Sequence, residues 1–262
     1  MTTYLDLHLE TCAMQTHAAG TTAHFSAPRP GRPDPNEDAL AILTGHDSLV
    51  LALADGAGGT SGGDLAAAAA LAALSEELVK RGGRSLRETI LSGFEEANRR
   101  VLALGLGAAT TLVVAEIAAD AVRSYHVGDS MLLHVGQRGR RKLETIAHSP
   151  VGYAVEAGML DEDEAMHHAE RHLVSNMVGM PGMRVEMSAK KALRPRDTLL
   201  LASDGLTDNL LVDELIEVIR KGPLDRAGDS LASRAAARMR APREGQPSKP
   251  DDLTFVLFRP RK

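Results

Sequence analysis

The chain has a single cysteine, Cys12, among its 262 residues. One thiol closes no internal disulfide and builds no cysteine-based zinc site, which fits a reducing compartment. It is not a Cys-x5-Arg nucleophile either, because no Arg follows Cys12 at that spacing. Tryptophan is absent and aromatics make up 3%, so Ala, Leu and Val must fill the core. Positive charge is not in excess. The formal net charge is -5, which gives no general electrostatic reason to bind nucleic acid or an anionic membrane. Long apolar runs are missing too: the longest candidate, Leu65 to Leu74, is alanine-rich and too short to span a bilayer. The N-terminus carries Asp6 and Glu10 with no basic segment before an apolar run, so it does not read as a signal peptide. These absences together predict a cytoplasmic protein.

Hydrophobic residues are 44% and charged residues 25%, the profile of a soluble globular chain long enough for a sizeable core. No repeat or linker divides residues 1–262, which read as one domain. Thr3 to His24 has room for a strand or two, and Ala27 to Pro35, with four prolines, is a loop. Ala39 to Leu43 and Ser48 to Ala54 form a strand pair, the second apolar on both faces and so buried. Helices follow at Asp64 to Arg81, with a capping-type Asp and a Gly82-Gly83 stop, and at Ser85 to Leu104, where Ser85 and Glu88 have capping-box spacing. Strands are expected at Ala109 to Ile117, Ala121 to Val127 and Met131 to Val135. Pro150 to Met180 reads as an acidic helical insertion. A strand at Thr198 to Ala202, helices at Asp213 to Lys221 and Asp225 to Arg240, and a strand at Leu253 to Phe258 complete the chain. Short turns between strands favour antiparallel sheet with helices outside.

Acidic residues recur at the ends of these strands: Asn36-Glu37-Asp38, Asp55-Gly56, Gly128-Asp129-Ser130, Asp204-Gly205 and Asp251-Asp252. If the strand ends converge, so many carboxylates repel one another unless cations lie between them. The donors are all oxygen, which suits hard or borderline ions such as Mg²⁺ and Mn²⁺. A single Asp-Gly pair is ordinary turn chemistry; the recurrence after apolar strands is what points to a site.

In order along the chain, Asn36-Glu37-Asp38, Leu53-Ala54-Asp55-Gly56 with Gly58-Gly59, Ala109-Thr110-Thr111-Leu112, Val127-Gly128-Asp129-Ser130, Leu201 to Leu206 and Asp251-Asp252-Leu253-Thr254 resemble the PP2C-type (PPM) protein phosphatases. The resemblance runs from residue 36 to 258, and His148 to Gly179 resembles the family's flap. It implies an α+β fold, a four-layer αββα sandwich of two antiparallel sheets flanked by helices. It also implies hydrolysis of phosphoserine and phosphothreonine in proteins by a metal-activated water at a dinuclear Mn²⁺ or Mg²⁺ site.

By the same resemblance Asp55 bridges two metals, the Gly56 carbonyl binds the second, and Asp204 and Asp251 bind the first. Glu37 and Asp38 hold metal-bound waters or the second metal, and Asp129 shares a third, weaker ion with Asp204. Asp252 stands where the family has Asn, so Asp251 is the expected ligand. Arg32 is the candidate for binding substrate phosphate, although it lies one residue further from Asn36 than the family spacing, and Arg29 lies further still. Met131 replaces the Arg that often follows Gly-Asp-Ser. The implied partners are a phosphorylated protein substrate and a Ser/Thr kinase whose work is reversed; a monomer is expected.

His24 and His46 lie near the N-terminal motifs as candidate general acids, but the sequence does not place them, and solvated surface residues are the commoner case. His167-His168 could ligate metal but reads better as a polar helix face. Three other readings compete. Leu49 to Ala54 followed by Gly56, Gly58 and Gly62 mimics a dinucleotide loop, but the glycine spacing is wrong and Asp55 would face a pyrophosphate. A non-catalytic binding module of the same fold is permitted by the displaced Arg32 and by Met131. A phosphatase of anti-sigma-factor antagonists would share fold and metals; the flap-like segment argues against it.

Overall fold

The computed structural model describes residues 2–5 as backbone, and residues 7–31, 35–45, 47–57 and 62–261. Within them the alternating apolar runs form two antiparallel sheets. The first sheet runs in the order β1 (Thr2–Leu5), β4 (Asp38–Thr44), β5 (Ser48–Ala57), β7 (Leu112–Ala118), β8 (Ala121–Val127) and β11 (Glu186–Met187). Short β6 (Ala109–Thr110) pairs with β5, and β12 (Lys191–Ala192) with β8. The second sheet runs β10 (Arg141–Glu144), β9 (Met131–Val135), β13 (Thr198–Ala202), β14 (Leu253–Pro260), β3 (Gly20–Ala27) and β2 (Ala13–His17).

Strand β5 shows how the layers arise. Successive side chains of a strand point to opposite faces. Leu49, Leu51 and Leu53 enter the core between the sheets, with Leu40, Ile42, Val113, Leu199, Leu201, Val256 and Phe258. Val50, Ala52 and Ala54 face the other way, onto α1 (Gly63–Val79) and α2 (Leu86–Ala103). Both faces are buried, which is why this run is apolar without alternation. Small residues on both partners, Ala52 and Ala54 on the strand and Ala66, Ala67, Ala70 and Ala73 on the helix, are all completely buried and let α1 lie close on the sheet. On the far side α6 (Val212–Ile219) and α7 (Leu224–Arg240) cover the second sheet through Leu215, Ile219, Leu224, Leu231 and Ala235, packed on Ala23, Leu133, Leu200 and Leu257. The order of layers is helix, sheet, sheet, helix, as the resemblance implied.

The capping box at Ser85 forms as the sequence predicts: the Glu88 amide donates to Ser85 Oγ at 3.2 Å, and the Ser85 amide to Glu88 Oε2 at 2.9 Å. At α1 the expectation needs correcting. The N-cap is Gly62, in the left-handed region, and Asp64 sits inside the first turn without capping it. The expected helical insertion contains only two short helices, α3 (Pro150–Glu156) and α4 (Glu162–Met166). The edge pieces β10, β11 and β12 and the four-residue α5 (Asp204–Thr207) were not expected, because segments of two to four residues carry too little periodicity to read.

Candidate metal centre

Strand parity carries acidic and hydroxyl side chains into one end of the sandwich. Asp38 continues the inward row of Leu40 and Ile42, Asp55 that of Leu49, Leu51 and Leu53, and Asp38 and Asp55 are register partners. Ser203 continues the row of Leu199 and Leu201, Thr254 that of Val256 and Phe258, and Thr111 that of Val113. The strand ends are therefore neighbours at one edge although their residues lie far apart in sequence.

Hydrogen bonds hold Asp38 and the turn that presents Asp55. Ser203 Oγ donates to Asp38 Oδ2 at 2.8 Å, and the Asp38 amide donates to Asn36 Oδ1 at 3.0 Å. Asn36 is buried and reaches across to Ser26 Oγ at 2.8 Å, tying the start of β4 to the other sheet. The Asp55 backbone is clamped by two threonines. Its amide donates to Thr111 Oγ1 at 3.0 Å and its carbonyl accepts from Thr110 Oγ1 at 2.9 Å. Ser130 Oγ, 2.7 Å from Thr111 Oγ1, supports that clamp, so the Ser of Gly-Asp-Ser is a brace. The Asp204 amide points at Asp55 Oδ2 at 3.4 Å. Gly56 packs so closely on the Gly63 and Glu37 backbones that a Cβ would collide with the Gly63 carbonyl. Only glycine lets the end of β5, the start of α1 and Glu37 meet there.

Asp251 and Asp252 separate by role. Both Asp252 oxygens accept backbone amides, Oδ1 from Arg29 at 2.8 Å and Oδ2 from Glu37 at 2.7 Å, so this side chain pins the proline-rich loop. Asp251 instead turns toward Asp204 and Asp208, sharing Lys249 with them. Asp251→Asn should therefore weaken Mn²⁺ binding at least tenfold without unfolding, since removing one charged ligand costs about 1.4 kcal/mol or more. Asp252→Asn should instead lower stability with a smaller effect on Mn²⁺ affinity. Calorimetric Mn²⁺ titration beside thermal melting separates the two; equal affinity losses would remove the distinction.

The electrostatics shows what the cluster requires. Burial, followed by the neighbouring Asp38, Asp204, Asp129 and Asp251, raises Asp55 well above the ordinary carboxylate range. Asp38 is raised in the same way by its burial, against the opposing Ser203 hydrogen bond. Asp129 is pushed up to about 7, first by burial and then by Asp204 and Asp208. Glu37, Asp204 and Asp251 are also raised, each mainly by burial. Carboxylates that resist ionisation together in a pocket of oxygen donors fit divalent cations, which remove the repulsion.

The structure brings Glu37, Asp38, Asp55, Gly56, Asp129, Asp204 and Asp251 to this one edge. Arg32, His46, Gly58 and Gly59 lie outside the described residues. His24 sits mid-strand on β3 opposite Val256, away from the strand ends, and burial lowers its pKa. His167 is exposed, with its Nδ1 on the Asp163 carbonyl at 2.9 Å, as a polar helix face would be. Sequence reasoning missed Asp208, Asn209 and Lys249, which lie outside the periodic elements, and read Ser203 only as part of Leu201 to Leu206 without its role. The only cue to Lys249 was a cation two residues before the Asp pair.

A cleft of about 470 Å³ opens beside Asp129, Asp204 and Asp208 and runs under α3 and α4, past Arg141, Glu144, Met166 and Arg171. The 148–180 segment is tied to the centre through His148. The Gly128 amide donates to His148 Nδ1 at 3.1 Å, and the His148 amide donates back to the Gly128 carbonyl at 3.0 Å. His126, His148 and Glu186 stand close enough to invite a metal. The hydrogen bonds argue otherwise. Because His148 Nδ1 accepts the fixed Gly128 amide, Nε2 carries the proton and faces Glu186 Oε2 at 3.4 Å. A metal-ligating histidine keeps its proton on the nitrogen away from the ion, so this group is a brace for the flap-like segment.

Two antiparallel sheets between helices, with a carboxylate cluster at one end, are the arrangement expected of the metal-dependent phosphatases that the sequence resembles. A family model for Protein phosphatase 2C matches residues 31–237. The serine/threonine phosphatase stp of Listeria monocytogenes is 28% identical over 213 residues, covering 76% of this chain and 84% of that protein. Among solved structures, the S. agalactiae serine/threonine phosphatase superposes with a TM-score of 0.77 at 26% identity, covering 94% of this chain and 99% of that one. Serine/threonine phosphatase Stp1 from Staphylococcus aureus gives 0.78 at 25% identity, covering 97% and 100%. The chain belongs to the protein phosphatase 2C family, and it is a protein serine/threonine phosphatase.

Proposed function

We propose that this chain hydrolyses phosphoserine and phosphothreonine esters in proteins at the Asp38–Asp55–Asp204–Asp251 centre, with Mn²⁺ or Mg²⁺ as its cations. The observation that carries the reading is the pairing of Asp38 with Asp55 at adjoining strand ends, with the Asp204 amide on Asp55. Asp55 would bridge two ions, Asp204 and Asp251 would hold the first, and the Gly56 carbonyl with Glu37 and Asp38 would hold the second directly or through water. Asp129 and Asp204 face the cleft where a third ion would be shared. Two such cations supply an activated water and neutralise charge on the phosphoryl oxygens.

The chain's own residues do the positioning. Ser203 and Asn36 orient Asp38, and Thr110 and Thr111 hold the turn that presents Asp55. The cleft under α3 and α4 would receive the polypeptide around the phosphorylated residue, with Arg32 as the candidate for its phosphate. We read residues 1–262 as one catalytic domain with a flap-like insertion around 148–180, acting as a monomer in the cytoplasm against the products of a Ser/Thr kinase. No described helix is long and apolar enough to cross a membrane.

A phosphothreonine peptide incubated with the purified protein tests the reading. Release of phosphate with Mn²⁺ and its loss in excess EDTA is the expected result, a difference of at least a hundredfold. No release with Mn²⁺ or Mg²⁺ from protein shown to be folded would leave the non-catalytic binding module in its place.

A further inference from the structure

The carboxylate centre contains a cation of its own. The Lys249 ammonium contacts Asp204 Oδ2, lies 3.0 Å from Asp208 Oδ2 and 3.2 Å from Asp251 Oδ2. Asp204 and Asp251 are the two carboxylates assigned above to the first metal ion. The placement is built. Buried Asn209 grips the Lys249 backbone on both sides, accepting its amide at 3.0 Å and donating to its carbonyl at 2.8 Å, and also donates to the Gly205 carbonyl at 2.9 Å. Ser248 Oγ donates to the Arg238 carbonyl at 2.9 Å, and Pro250 restricts the backbone of Lys249 before it. The stem therefore leaves the loop toward the carboxylates and not toward solvent; the side chain is 28% exposed.

We propose that Lys249 is a competing internal counter-cation, which occupies the Asp204–Asp208–Asp251 side of the centre and sets how tightly a divalent ion binds there. The proposal rests on the dinuclear reading above. Both oxygens of Asp251 are engaged by the chain itself, Oδ1 by the Asp252 amide at 3.0 Å and Oδ2 by Lys249. A divalent ion that takes Asp251 as a ligand must draw Oδ2 away from the ammonium or share it against charge repulsion. The amide is fixed by the backbone, so the lysine is the group that yields. Its flexible four-carbon stem allows it to swing toward Asp208, which remains as its partner once Asp204 and Asp251 hold the ion. Lys249 thus neutralises the metal-free centre and lowers its affinity for metal, so that occupancy follows the supply of the ion.

The test is calorimetric titration of Mn²⁺ into metal-free wild type, Lys249→Met and Lys249→Arg, with thermal melting in EDTA alongside. Lys249→Met should bind the first Mn²⁺ about tenfold more tightly, by removal of a like charge at contact distance. Lys249→Arg should stay within about threefold of wild type, because the positive charge is kept. In EDTA, Lys249→Met should melt below wild type, and saturating Mn²⁺ should bring the two together. Lys249→Gln reads the same way if Lys249→Met does not fold. Equal Mn²⁺ affinity in wild type and Lys249→Met overturns the role of Lys249 alone. No Mn²⁺ binding by any of these folded proteins overturns the dinuclear reading, and this proposal with it.

Discussion

Asp55→Asn should lower metal-dependent turnover by about a thousandfold, equivalent to about 4 kcal/mol of activation free energy, while the protein folds normally. Four carboxylates, Asp38, Asp204, Asp129 and Asp251, each raise the pKa of Asp55 after burial has done so. In the proposed centre Asp55 would be the bridge between two cations, and an amide there would lose the charge that holds both. The same substitution should act on stability with the opposite sign. A carboxyl group whose pKa is raised in the fold contributes full stability below its unfolded pKa, about 3.9, and loses it as pH rises through the folded value. Metal-free wild type should therefore melt progressively lower as pH rises from about 5 to 8. Asp55→Asn, with no charge to place there, should melt higher than wild type at the upper end of that range, the gap closing at the lower end. Asparagine can still accept the Asp204 amide. Thermal melting in EDTA at both pH values, with turnover in Mn²⁺, reads the two effects separately. Wild-type turnover in folded Asp55→Asn would remove Asp55 from the centre.

Gly205→Ala should be strongly damaging. A Cβ at Gly205 would collide with the Asp252 carbonyl oxygen and stand 2.8 Å from its carbonyl carbon and 3.3 Å from Leu253 Cα. All three are backbone, so no side chain can swing aside. The methyl must push α5 away from the start of β14. Overpacking of this kind costs about 3 kcal/mol, or roughly 6–10 °C in a chain of this length. The displacement separates Asp204 from Asp251, so turnover should fall by at least about tenfold even at saturating substrate. Denaturant titration and steady-state kinetics check both effects. Wild-type stability in Gly205→Ala would show that the helix and strand ends are not locked together.

The layers and the acidic edge were legible for one reason: the runs of apolar residues that specify each strand end in a polar one. The apolar run Leu49 to Ala54 stops at Asp55, and Leu199 to Ala202 stops at Ser203 and Asp204, so the end of each run could be read although neither run alternates. Spacing alone could not say which of Asp251 and Asp252 faces the centre, because the choice depends on the amides of Arg29 and Glu37, over two hundred residues earlier. Lys249 was unreadable for a related reason. Its direction is imposed by Asn209, forty residues away, and neither residue belongs to a periodic element. The Thr110–Thr111 clamp was visible as part of a pattern, but its work on the Asp55 backbone appears only when β6 and β7 are laid beside β5.

The position of β14 has a consequence for synthesis. It lies between β13 and β3, joining a strand made early to one made late, and Asp251 stands just before it. While the ribosome has not yet delivered residues 253–260, β3 has no partner but β2 and the carboxylate edge lacks one side. A nascent chain therefore carries Asp38 and Asp55 for a long stretch of translation without the neighbours that complete the centre. A chain truncated before residue 253 would lack the strand that joins β13 to β3 and should show no metal-dependent turnover.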